Sequence, residues 1–149
     1  MPTVERSALL AFDAERLCAL VHDIEAYPAF MPGCVSATVE SREGDRVRAR
    51  LGFRFSGISD SFATENQAEH LPDGRHRIHM NLLDGPFRAL AGVWDFQPLA
   101  EGAAKVSLRL TLEFGNRVLE TTLGPLLDRA INGAIDAFRR RATELYGKG

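Results

Sequence analysis

Hydrophobic positions in this chain follow two periods, and the point where one gives way to the other divides the sequence. From Arg46 to Phe55, Val47, Ala49, Leu51, Phe53 and Phe55 fall on one side and Arg46, Arg48, Arg50 and Arg54 on the other. A period of two is the signature of a half-buried strand. Comparable alternation predicts strands over 35–41, 58–69, 77–83, 88–99 and 106–114. In the last three, Ile78, Met80 and Leu82, then Leu90, Trp94 and Phe96, then Val106, Leu108, Leu110, Leu112 and Phe114 mark the apolar face. Turn residues separate them at Glu43-Gly44-Asp45, Pro72-Asp73-Gly74, Asp84-Gly85-Pro86 and Glu101-Gly102. Ser56-Gly57 is placed to close a two-residue hairpin.

Beyond Phe114 the period lengthens. Leu119, Leu123, Leu126, Leu127, Ala130, Ile131, Ala134, Ile135, Phe138, Ala142 and Leu145 recur every three or four residues. This predicts an amphipathic helix of roughly 25 to 29 residues, bent near Gly124-Pro125. At the other end, a looser alternation over 2–12 predicts a first strand. Asp13 stands where it can cap a helix carrying Leu17, Leu20 and Val21. Asp23 is placed to cap a second short helix, Ile24 to Tyr27, which Pro28 helps to end. The expected class is α+β: a curved antiparallel sheet of about seven strands, two short helices after the first strand, and a long C-terminal helix. A sheet with one apolar face must cover it, and only the long helix can do so.

Composition adds limits. The chain has 149 residues, 45% hydrophobic and 26% charged, which suits one domain over 1–149 with a sizeable core. The net charge of −2 points to neither DNA nor a membrane in bulk. No run approaches the ~20 apolar residues that span a bilayer, and the first residues have no apolar signal region. Cys18 and Cys34 are read as free thiols, and the protein as cytoplasmic, at most peripheral at the inner face of a membrane.

Three segments carry a family resemblance. Asp23-Ile24-Glu25-Ala26-Tyr27-Pro28-Ala29-Phe30-Met31-Pro32-Gly33-Cys34 resembles the stretch after the first helix in coenzyme-Q-binding START-domain proteins and in the related bacterial ribosome-association toxins (RatA). Gly85-Pro86-Phe87-Arg88-Ala89-Leu90-Ala91-Gly92-Val93-Trp94-Asp95-Phe96 resembles their second signature. Leu112-Glu113-Phe114 and Leu123-Gly124-Pro125-Leu126 resemble their last strand and helix start. The resemblance implies a START-like, helix-grip fold of the polyketide cyclase/dehydrase-like (SRPBCC) superfamily. It also implies either ubiquinone binding in support of respiration, or binding to the large ribosomal subunit that blocks subunit joining, as in a toxin–antitoxin system.

The first candidate site is an apolar cavity between sheet and helix. Phe53, Phe55, Phe62, Met80, Leu82, Leu90, Trp94, Phe96, Leu110 and Leu112 would face Leu123, Leu127 and Ile131. Singly each can be core filling; together they offer aromatic walls for a quinone head and an apolar tunnel for its tail. A carbon-lined volume of about 300 Å³ or more is expected for a lipid ligand. Phe30 and Phe87, on rigid proline-containing loops, would form a lid if the loops meet. Asp60, opposite Phe53 in a symmetric hairpin, either reaches a ligand, or is turned to solvent by a bulge, or sits at the open end of the sheet. Arg46, Arg48, Arg50 and Arg54, with Arg139, Arg140 and Arg141, are candidates for contacting ribosomal RNA or an acidic membrane surface. Alternatively they are a solvated face, with Arg48 paired to Glu65. His22, His70, His76 and His79 do not have metal-ligand spacing, and no catalytic nucleophile or phosphate loop is present, so no metal, cofactor or enzymatic activity is expected. An aromatase or cyclase would need polar groups inside the cavity. Only Asp60, Thr64 and Asn66 interrupt the inward apolar pattern.

Overall fold

The computed structural model describes residues 3–55 and 57–147. Ser56 of the predicted hairpin, and the side chains of Phe55, Leu123, Leu126 and Leu127, lie outside the described set. The elements are β1 (Thr3–Leu10), α1 (Ala14–His22), a 3-10 helix (Ile24–Ala29), β2 (Cys34–Glu43), β3 (Arg46–Phe55), β4 (Ile58–His70), β5 (His76–Asp84), β6 (Phe87–Ala100), β7 (Ala103–Phe114) and α2 (Arg117–Tyr146). They form one seven-stranded antiparallel sheet in the order β1-β7-β6-β5-β4-β3-β2. Strands β2 to β7 are a meander, and β1 returns to pair with β7 through Val4↔Leu110 and Ala8↔Val106.

The apolar alternation explains the layers. Val47 and Ala49 on β3, Trp94 and Phe96 on β6, and Val106, Leu108 and Leu110 on β7 are all buried. Along α2, Ile135, Phe138 and Ala142 are the buried stripe, and they join Leu10, Leu17, Trp94, Phe96 and Leu108 in the larger core. A second cluster, Phe87, Leu90, Leu110 and Leu112, lies toward the other end of the sheet, and Ile131 packs against both clusters. Exposed Arg6 ties β1 to α2: its Nε donates to Asn132 Oδ1 at 2.5 Å.

Local details depart from the sequence expectation. The first strand ends at Leu10 rather than continuing to 12. Asp13 and Asp23 occupy helix-start positions, but neither side chain makes a capping bond. Asp13 Oδ1 instead accepts the Gly102 amide at 2.8 Å, tying the start of α1 to the β6–β7 turn. Pro28 lies inside the 3-10 helix, not at its end. The cap of α2 is Asn116, whose side chain accepts the Leu119 amide at 2.9 Å, so the helix begins earlier than its apolar pattern and runs for 30 residues through Pro125. Gly85 has φ 154°, and a Cβ there would lie 2.7 Å from the Cβ of Phe62, so the β5–β6 connection needs glycine.

Candidate cavity between the sheet and the long helix

Where α2 crosses the sheet it presents Ala130, Ile131, Ala134 and Phe138. Two of these four side chains are single methyl groups, too short to reach the strands opposite. A partly open cavity of about 190 Å³ results. Phe53, Phe62, Met80, Leu90, Trp94, Leu110 and Leu112 line it from the sheet, as expected, with Ile131 from α2; Phe87 joins them as the first residue of β6 rather than as part of a loop. The volume is below the expected 300 Å³. One cause is Met80, which reaches across Gly92: a Cβ on that glycine would lie 2.8 Å from Met80 Cε.

Other expected positions fall elsewhere. Phe96 is fully buried, stacked on Trp94 at 6.2 Å and 12°, in the core behind the cavity. Leu82 packs on the Phe87 cluster without lining the cavity. Phe55, Leu123 and Leu127 lie outside the described side chains. Phe30 and Phe87 do not meet. Phe30 packs on Tyr27 (5.8 Å) and Phe138 (5.4 Å), whereas Phe87 packs on Phe62 (5.8 Å) and Phe114 (5.7 Å). Asp60 keeps the predicted register opposite Phe53, yet it is exposed and accepts the Ser61 amide.

Alternation alone does not single out several of the wall residues. Met31, Pro32, Gly33 and Cys34 form one rim, and exposed Pro32 marks the mouth. Leu51, Gly52 and Leu108 complete the sheet side. Leu51 and Leu108 lie on the apolar faces that alternation marks, and depth along each strand is what brings them to the cavity. Tyr27 lies at the inner end, its hydroxyl donating to the Val21 carbonyl, and burial pushes its ionisation well above the usual phenol range. Among the described residues the walls carry no carboxylate, histidine, lysine or arginine. Burial also pushes the Cys34 thiol up, with its Ser36 backbone contact acting the other way. Cys18 lies in the core, pushed up to about 12 by burial, then by the charges of Asp45 and Glu15.

The arginines are mostly paired. Arg46 and Arg48 share Glu65 (3.6 and 3.3 Å), and Arg50 Nη2 meets Asp84 at 2.7 Å. Arg54 donates to the Ser59 hydroxyl at 3.2 Å. On α2, Arg139 and Arg140 both bond Asp136, while Arg141 lies 3.8 Å from Glu144 with its guanidinium over the Phe30 ring at 5.4 Å. The basic stripes are thus interleaved with carboxylates.

The family model for polyketide cyclase / dehydrase and lipid transport matches residues 10–139. The chain belongs to that family. A ribosome association toxin RatA of Pseudomonas aeruginosa is 41% identical over 144 residues, covering 97% of each chain. A mitochondrial coenzyme Q-binding protein COQ10 homolog B of Xenopus laevis is 25% identical over 146 residues, covering 95% of this chain and 58% of that one. A solved START superfamily protein of Mycobacterium smegmatis superposes with a TM-score of 0.79 at 22% identity, over 96% of this chain and 98% of that one. The family accounts for the START-like architecture of sheet, short helices and long helix. No helix among the described residues is long and apolar enough to cross a membrane.

Proposed function

We propose that this family member holds an apolar small molecule, a polyprenyl quinone such as ubiquinone, in the cavity under α2, and serves respiration as its carrier or chaperone. The observation that carries this reading is the partly open, carbon-lined cavity with aromatic residues contributed by the 3-10 helix, the sheet and α2. Its size suits a ring and the start of a tail, with the rest of the tail leaving past Pro32. The coenzyme Q-binding relative supports the ligand class. The walls hold no described group able to transfer a proton near neutral pH, which favours binding over catalysis of the cyclase type.

A second reading has its own support. The RatA relatives match end to end at up to 41% identity, which favours association with the large ribosomal subunit and a block to subunit joining. The two readings separate in one preparation. Protein purified natively is extracted and analysed by mass spectrometry, and the same lysate is sedimented at moderate salt. A near-stoichiometric quinone is expected. An empty protein that travels with large ribosomal subunits would replace the first reading with the second.

A further inference from the structure

Behind the main cavity lies a second, smaller space of about 30 Å³. Tyr27, Leu51, Met80 and Trp94 border both spaces and form the partition between them. Its far wall is different in kind. Thr64 and Asn66, two positions apart on β4 and therefore on one face, are 3% and 5% exposed. They are the buried polar residues in an otherwise apolar layer. Asn66 Nδ2 donates to Thr64 Oγ1 at 3.0 Å. Thr64 keeps its own O–H to donate, and Asn66 keeps one N–H and its Oδ1, with no further partner among the described residues. His22, at the end of α1, borders the same space, and neither of its ring nitrogens has a hydrogen-bond partner. Groups this buried are normally satisfied, so three such side chains around one small space mark a place for a polar guest. A volume of this size accepts a water or one oxygen function.

We propose that Thr64, Asn66 and His22 are the polar end of the ligand site, receiving a neutral oxygen of an otherwise apolar ligand, a ketone, quinone carbonyl or phenol, either directly or through one water. The inference rests on the cavity reading and adds an orientation to it: head inward past Met80 and Trp94, tail toward Pro32. Met80 suits the partition because its unbranched chain can swing aside. The free groups include both donors and an acceptor, so a carbonyl and a hydroxyl both fit. A carboxylate or phosphate does not, because no arginine or lysine borders either space among the described residues. Burial and the Arg42 charge hold the His22 ring toward its neutral form. The Asp45 main chain partly opposes this from outside good hydrogen-bond geometry, its carbonyl already accepting the Ala68 amide at 2.9 Å.

The test uses calorimetry on the full chain with two probes of matched tail, a decyl-substituted 1,4-benzoquinone and decylbenzene. Wild type is expected to bind the quinone about tenfold more tightly, since a site built to pair with oxygen rejects the analogue without it. In T64V/N66L that preference is expected to fall to about twofold or less, with decylbenzene affinity unchanged. A preference retained in the double variant, or absent in wild type, overturns the polar end while leaving the cavity reading intact. Wild type that binds neither probe overturns both. Should the double variant not fold, the near-isosteric T64V alone is expected to lose about threefold of the preference, and an unchanged ratio there is equally decisive against the proposal.

Discussion

Cys34 and Cys18 show how position, more than residue type, sets chemistry. Both thiols are held above their usual range by burial, but Cys34 lies on the cavity rim whereas Cys18 is sealed in the core. Near neutral pH, Cys34 is expected to alkylate slowly and Cys18 only on unfolding. Bound ligand should slow Cys34 further, as peptide mass spectrometry would show; equal labelling with and without quinone would place the ligand elsewhere. His22 makes a second residue-scale case. Its ring titrates below its ordinary 6.5 in the fold, chiefly through burial, and His76 moves the same way. The unfolded chain therefore binds more protons in that window, so stability is fully present above pH 6.5 and declines as pH falls toward the folded values. Urea midpoints at about pH 7.5 and about pH 5.5 should show this drop, smaller in His22→Gln. An identical drop in that variant would assign the effect elsewhere.

At the scale of elements, the cavity is a property of one helix face. The α2 stripe is bulky at Ile135 and Phe138 and small at Ala130 and Ala134, so the helix seals one end of the sheet and stands off from the other. Ala134→Phe is expected to fill the gap and displace the quinone, with little loss of stability because the space already exists. Native extraction that still yields stoichiometric quinone from a folded variant would refute the assignment. Phe138→Ala acts in the opposite sense. It removes a buried ring that touches Tyr27, Phe30 and Trp94 at 5.4 Å each, and is expected to cost about 3–5 kcal/mol in denaturant unfolding.

Over the whole molecule, the paired arginines of the outer face are the groups that a large anionic partner would meet. Exposed ion pairs such as Arg48–Glu65 and Arg50–Asp84 are screened by solvent and contribute little to stability, so they rearrange readily around a phosphate backbone. Reversing Arg46, Arg48 and Arg50 to Glu is expected to leave quinone binding unchanged and to weaken ribosome co-sedimentation and its salt dependence, if this face is the contact. Association that stays as strong and as salt-dependent as in wild type would move the contact off β3.

Strand positions, the hairpin registers Phe53↔Asp60 and Arg48↔Glu65, and the long helix were legible in the sequence, because a period of two or of 3.6 is a local property of the chain. Most of the cavity wall followed, since alternation settles which face a side chain takes. Alternation does not say how far along a face two elements approach. That distance put Phe96 in the core, kept Phe30 from Phe87, and left the alanines of α2 opposite open space. The exposure of Asp60 and the burial of Thr64 and Asn66 on the same strand face have the same origin. Only the packed structure shows where the helix covers the sheet, and burial there is what turns a polar residue into a constraint on its partner.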